Sequence, residues 1–292
     1  VVSSSPSISY QTHVQDYGWQ SWKSNGEVSG TVGQSKRLEG INIKLSNING
    51  SIEYKTHVQD IGWQDWKSNG QMSGTSGQSK RLEAIKVKLS GEAVNQYDVY
   101  YRVHAQDYGW LDWAKNGESA GTEGYSKRLE GIQIVLVKKG ENAPGSTSRP
   151  FIYKMIKYQT HVQNIGWQDE VYNGETIGTV GQGLRMEALK LDLYKPLYSG
   201  EVTYSAHVQN IGWQDWKKDG EISGTVGEKL QMEAVKIKLT GEMADHYDIY
   251  YRAQVEELGW LDWVKDGKEA GTTGKGYRLE SLEIKLVPKT EG

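Results

Sequence analysis

Every tryptophan in this chain falls inside one recurring phrase, and that placement constrains the fold more than any other feature of the sequence. The phrase is fullest at residues 57–66, His-Val-Gln-x-x-Gly-Trp-Gln-Asp-Trp, and its first tryptophan returns as Trp19, Trp63, Trp110, Trp167, Trp213 and Trp260. A second follows in the same turn as Trp22, Trp66, Trp113, Trp216 and Trp263, and Glu170 fills the remaining slot. All 11 Trp sit on this period, beside a single Phe and no Cys. The chain is therefore six copies of a small unit that cannot bury its own apolar face. Such units become stable when about three or more share a core.

Successive first tryptophans lie 44, 47, 57, 46 and 47 residues apart. The long interval holds a polar Gly/Pro/Ser stretch between Lys138 and Pro150, which has the composition of a linker. Three repeats stand on each side of it. This predicts a three-repeat domain at 8–140, a linker at 141–150 and a second three-repeat domain at 151–292. Residues 1–7 lack the basic-then-apolar form of a signal peptide and read as a linker or a processed end.

Within a repeat the hydrophobic pattern has period two. Ile52, Tyr54, Thr56 and Val58 fall on one face, and Glu53, Lys55, His57 and Gln59 on the other, as in a half-buried antiparallel strand. A short strand at the Trp pair then runs into Asn69-Gly70, Asn116-Gly117 or Asp219-Gly220, which is a hairpin signal. A turn at Gly74-Thr75-Ser76-Gly77 leads to a longer strand, Leu82 to Leu89, whose phase slips near Ala84-Ile85 and predicts a bulge. No segment sustains a helical stripe, so essentially no helix is expected, and Ser90 to Gln96 reads as a variable loop. The expected fold is all-β, with two tandem domains of internal threefold pseudosymmetry. Short strands and units of ~45 residues favour the β-trefoil, with the β-prism as the alternative.

The assembled pattern is Tyr-x-x-His-Val-Gln-x-x-Gly-Trp-x-x-Trp, then Asn/Asp-Gly, Gly-Thr-x-Gly and Arg-Leu-Glu-Ala-Ile. It resembles the clostridial hydrophobic repeat with a conserved tryptophan, across all six units. The resemblance implies a secreted or cell-surface protein of a Gram-positive bacterium that binds polysaccharide or host surface components. It supplies no catalytic residues. Two units depart from the pattern, with Glu170 in place of the second Trp and Gln254 in place of the His. Either departure marks a degraded site if its position binds ligand.

The first Trp, present in all six units, reads as a core anchor, since burying one removes roughly 150–250 Å² of surface. The second Trp tolerates a carboxylate at Glu170, and an unpaired buried carboxylate is costly, so this position reads as exposed. Trp22, Trp66, Trp113, Trp216 and Trp263 are accordingly the expected platforms for a sugar ring. Asp65, Asp112, Asp215 and Asp262 stand beside them as hydroxyl acceptors, and Ser21 takes that slot in the first repeat. His13, His57, His104, His161 and His207 share one position on the polar strand face. A metal site needs three or four converging ligands, so a cross-strand hydrogen bond is the expected use of each. Glu39, Glu83, Glu130, Glu187, Glu233 and Glu280 recur six times, whereas a glycosidase pair needs one asymmetric cleft. They read as scaffold.

Net charge is -3 with interleaved signs, which argues against a nucleic-acid partner. No apolar run reaches the ~18 residues of a membrane helix, so no membrane insertion is expected. Zero cysteines exclude disulfides and thiolate chemistry. No cofactor or metal is implied. These observations predict a non-catalytic, lectin-like module that engages a polysaccharide or glycoconjugate through repeated weak sites. The alternative is an adhesion module whose exposed aromatics contact a host or cell-wall protein.

Overall fold

Each repeat is built on one long antiparallel pair, and the alternation read above is the reason it forms. In the computed structural model, which describes residues 5–289, strand Ser51–Val58 alternates strictly between half-buried and buried positions. Ile52, Tyr54, Thr56 and Val58 are all inward and fully buried. This strand pairs with Leu82–Ser90. Its other edge carries two short strands, Gly62–Trp63 and Lys67–Ser68, so the repeat is a small sheet with an apolar inner face. The other five repeats are built on the same long pair with the same two short strands.

The expected phase slip is a bulge with Glu83 as its extra residue: Leu82 pairs with Val58 and Ala84 with His57. Glu39, Glu130, Glu187, Glu233 and Glu280 are skipped in the same way. A bulge re-aims side chains locally. Here it leaves Leu82, Glu83, Ala84 and Ile85 buried in succession.

The Asn-Gly turns form, but they do not make hairpins. After Asn25-Gly26 the chain leaves its own sheet, and Ser29–Gly30 pairs with Leu129–Lys138 of repeat 3. Ser73–Gly74 of repeat 2 pairs with Leu38–Ser46 of repeat 1, and Ser119–Glu123 of repeat 3 with Leu82–Ser90 of repeat 2. The pairing thus closes into a ring of three sheets. Repeats 4, 5 and 6 close identically, Thr176–Gly178 pairing with Leu279–Pro288. The receiving glycine cannot be replaced without damage: Gly74 has φ +100°, and a Cβ there would lie 2.4 Å from the Glu39 carbonyl oxygen.

One tyrosine per repeat fastens each closure. Tyr10, Tyr54, Tyr101, Tyr158, Tyr204 and Tyr251 are the largest fully buried side chains. The Tyr10 hydroxyl donates to the Glu27 carbonyl within its own repeat and accepts from the Ile134 N–H of repeat 3 at 3.2 Å. Beside it, Gly26 N–H donates to the Ile134 carbonyl at 2.8 Å. Burial pushes the Tyr10 hydroxyl up to about 12.

The chain falls into two compact domains, Val1–Tyr153 and Lys154–Gly292. Two expectations change. Phe151–Tyr153 belongs to the first domain rather than the second, because it adds a parallel strand to Ser119–Glu123. Two short helices, Ala93–Gln96 and Gly241–His246, stand where an irregular loop was expected. They bury Ala93 and Met243. Of the opening residues 1–7, residues 1–4 lie outside the described residues, and Ser7 begins strand Ser7–Val14.

Candidate functional site

The outer face of each sheet is aromatic and cationic, and it overturns the reading of the first tryptophan as a core residue. Trp19 is 38% exposed, as exposed as Trp22 at 37%, and the other first tryptophans are half-buried. The reason lies in the register. Trp19 pairs directly opposite His13, and Trp63 opposite His57. Directly paired residues project to the same face of a sheet, and the His face points away from the core. The tyrosines, not the tryptophans, anchor the interior.

On that outer face the first Trp of repeats 1 to 5 meets its His edge-on, at 5.4 Å for His13–Trp19 and 5.5 Å for His161–Trp167, while Trp260 of repeat 6 lies opposite Gln254. The His Nδ1 then approaches the bulged Glu of the neighbouring strand. The separations are 3.0 Å at His13, 3.1 Å at His161, 3.2 Å at His207, 3.6 Å at His104 and 3.9 Å at His57. Only the His161–Glu187 contact has hydrogen-bond geometry; the rest are close polar contacts. Arg37 and Arg128 bind the same carboxylates, Glu39 and Glu130. Desolvation pushes His57 below and Glu83 above their ordinary values. A cross-strand partner for the histidines is therefore what the bulge supplies.

The second tryptophans are packed against cations. The Lys44 ammonium lies 4.2 Å from the Trp22 ring, Lys88 4.2 Å from Trp66, Lys238 4.3 Å from Trp216 and Lys285 4.4 Å from Trp263. The Arg102 guanidinium lies 4.9 Å from both Trp110 and Trp113, and Arg252 stands 4.7 and 4.9 Å from Trp260 and Trp263. Such contacts contribute about 0.5–1 kcal/mol each at exposed sites. Trp216 is the most exposed at 43%, while Trp66 and Trp263 are half-buried. Asp65, Asp215 and Asp262 are exposed. Glu170 faces solvent and pairs with Lys157 at 3.4 Å.

Trp113 is the exception, and it corrects the expectation of a platform there. It is 7% exposed because residues 145–150, expected to be a free linker, lie across it. Trp113 N–H donates to the Ser146 carbonyl at 2.9 Å, and Asp112 N–H to the Arg149 carbonyl at 3.2 Å. The Asp112 carboxylate accepts from the Ser148 hydroxyl at 2.9 Å and from the Arg149 N–H at 2.8 Å. That first bond holds the Asp112 carboxyl below the usual range. In repeat 2 the corresponding surface is an open cleft of about 440 Å³ lined by Trp63, Gln64, Asp65, Lys67, Met72 and Gly74. The sequence pairs Asp65 with Trp66, whereas the cleft brings it together with Trp63.

One further residue matters and was not singled out from the sequence. The Gln64 side chain reaches across the cleft and accepts from the Gly74 N–H at 2.8 Å; Gln20, Gln168 and Gln214 do the same to Gly30, Gly178 and Gly224. Repeats 3 and 6 carry Leu111 and Leu261 instead. The difference between Gly-Trp-Gln and Gly-Trp-Leu was visible throughout, but its meaning needs the partner glycine, which lies beyond the turn.

The family described as clostridial hydrophobic W matches at residues 13–47, 57–91, 104–138, 161–195, 207–241 and 254–288. The chain belongs to the clostridial hydrophobic W family. Each match runs from the His position (Gln254 in the sixth) through the Trp turn to the end of the long return strand, so the clostridial hydrophobic W motif covers the sheet described above except for most of its first long strand. No curated protein and no solved structure matches the chain.

Proposed function

We propose that this clostridial hydrophobic W protein is a non-catalytic, lectin-like module that binds a surface polysaccharide through its repeated clefts. The observation that carries the reading is the repeat 2 cleft, which is lined together by the apolar Trp63 and Met72 and the polar Gln64, Asp65 and Lys67. An apolar wall with a few placed polar groups is the composition of a sugar subsite. The Ser148 hydroxyl on Asp112 supports the assignment of this carboxylate as a hydroxyl acceptor. Repeat 5 carries the same residue types, with Trp213, Gln214, Asp215, Lys217 and Ile222. The same residue types thus occur once in each three-repeat domain, which suits a repeating polymer engaging more than one weak site at once.

Recurrence also supports binding over catalysis, because an acid–base pair needs two differently tuned groups in one cleft. Three separate sheets joined only by short edge strands favour a threefold prism for each domain over a single trefoil barrel. The family resemblance supports a secreted or cell-surface location in a Gram-positive bacterium. A glycan and cell-wall polysaccharide array probed with the full chain tests the function. Retention that grows with polymer length and is lost in the Asp65→Asn/Asp215→Asn double variant is expected. An array without signal, or one on which the double variant equals the parent, refutes the reading.

A further inference from the structure

Repeats 3 and 6 differ from the other four in a way that opens the sheet edge. Where Gln is present, its side-chain amide occupies the Gly N–H and closes the edge. Where Leu replaces it, that N–H is left for another partner. In repeat 3 the partner is peptide: Gly121 N–H donates to the Pro150 carbonyl at 3.0 Å. The chain then continues as Phe151–Tyr153, parallel to Ser119–Glu123, with Phe151 opposite Gly121 and Ile152 opposite Thr122. Upstream, Gly145 crosses the Trp113 indole so closely that a Cβ would lie 3.1 Å from its Nε1. The Ser148 and Arg149 contacts with Asp112 hold the segment between these points. The docked segment thus reads four features: a glycine on the indole, a hydroxyl on the carboxylate, an X-Pro carbonyl on the glycine N–H, and an apolar strand.

Repeat 6 repeats the receptor without the occupant. Leu261, Asp262, Trp263 and Gly271 stand where repeat 3 has Leu111, Asp112, Trp113 and Gly121. Leu261 and Trp263 are half-buried instead of buried, and Asp262 is exposed. The N–H groups of Asp262, Trp263 and Gly271 and the Asp262 carboxylate have no hydrogen-bond partner among the described residues. The edge strand is only Ala270–Gly271, against Ser119–Glu123 where a strand has been added.

We propose that repeat 6 is a peptide-binding groove that captures, from a different protein, an extended Gly-Ser-x-Ser-x-Pro-aromatic segment by parallel strand addition. Main-chain bonds to an open edge supply affinity, and the flanking pockets supply selectivity. The inference does not rest on the polysaccharide reading, which uses Gln-bearing repeats. Repeat 3 does not compete, because its own linker is tethered and acts at an effective concentration of order millimolar.

The test uses a fluorescein-labelled peptide, Gly-Ser-Thr-Ser-Arg-Pro-Phe-Ile-Tyr, the sequence of residues 145–153, titrated with the full chain and read by anisotropy. Saturable binding is expected, weakened about tenfold or more by Leu261→Gln, since one lost hydrogen bond of ordinary strength is about a tenfold change. Four repeats already carry Gln at this position, so the variant is compatible with the fold. Asp262→Asn is expected to weaken binding as well. Absence of binding at millimolar peptide overturns the proposal, as does equal binding by the Leu261→Gln variant. Sedimentation supplies a further arm: self-association of the parent that Leu261→Gln abolishes would make the occupant a second copy and overturn the assignment to another protein. Retention on a glycan array that survives Leu261→Gln keeps the two readings distinguishable.

Discussion

Removing one oxygen atom, by Tyr10→Phe, tests whether the buried tyrosines hold the ring of sheets closed. Tyr10 is fully buried, and its hydroxyl serves two main-chain groups from different repeats, the Glu27 carbonyl and the Ile134 N–H. Phenylalanine keeps the ring and its packing but leaves both groups without their partner. Each unsatisfied buried group costs about 1–3 kcal/mol, so the substitution costs about 2–6 kcal/mol. That is a large share of the about 5–15 kcal/mol that stabilises a domain. For a domain of this size each kcal/mol moves the midpoint by about 2–4 °C, which places the expected shift at roughly 4–24 °C. The assay is thermal unfolding of the full chain by calorimetry, with Tyr17→Phe as the comparison. Tyr17 is 55% exposed and bonds only Gln34 on the surface, so removing its hydroxyl leaves the midpoint nearly unchanged. If Tyr10→Phe also leaves the midpoint unchanged, the hydroxyl is not what closes the ring, and apolar burial alone suffices.

The same tyrosines set an alkaline limit. Burial pushes Tyr10, Tyr204 and Tyr251 to about 12 from an ordinary 10.0. Between those values the unfolded chain releases protons that the folded chain retains. Stability is therefore intact below pH 10 and is lost as pH rises through about 12. Denaturation midpoints across pH 9–12 check this, and Tyr10→Phe is expected to flatten the fall. At the linker, Asp112→Ala removes the acceptor for Ser148 and Arg149, so limited proteolysis of the full chain is expected to cut within residues 141–150 several-fold faster. An unchanged cleavage rate would show that the segment is held by its main-chain bonds alone.

Local chemistry settled a good deal of this protein in advance. The strand alternation, the six-fold repetition and the bulge near Ala84 are consequences of residue order. A period-two strand with one polar face can be built only one way up. The exposed setting of Glu170 was legible for a similar reason, since a lone carboxylate is not buried without a partner.

Tertiary structure decided what pairs with what. An Asn-Gly turn announces a reversal, but whether the next strand rejoins its own sheet or closes onto another repeat depends on contacts more than 100 residues away, as in Ser29–Ile132. Size alone makes the first tryptophans core anchors, whereas their burial is fixed by lying opposite a polar residue on the outer face, a histidine in five repeats and Gln254 in the sixth. Likewise the linker has the composition of a flexible tether, yet it docks because Leu111 leaves a main-chain donor open at Gly121. Sequence sets each residue's appetite for water, whereas only the closed ring determines which donors remain unpaired at its edge.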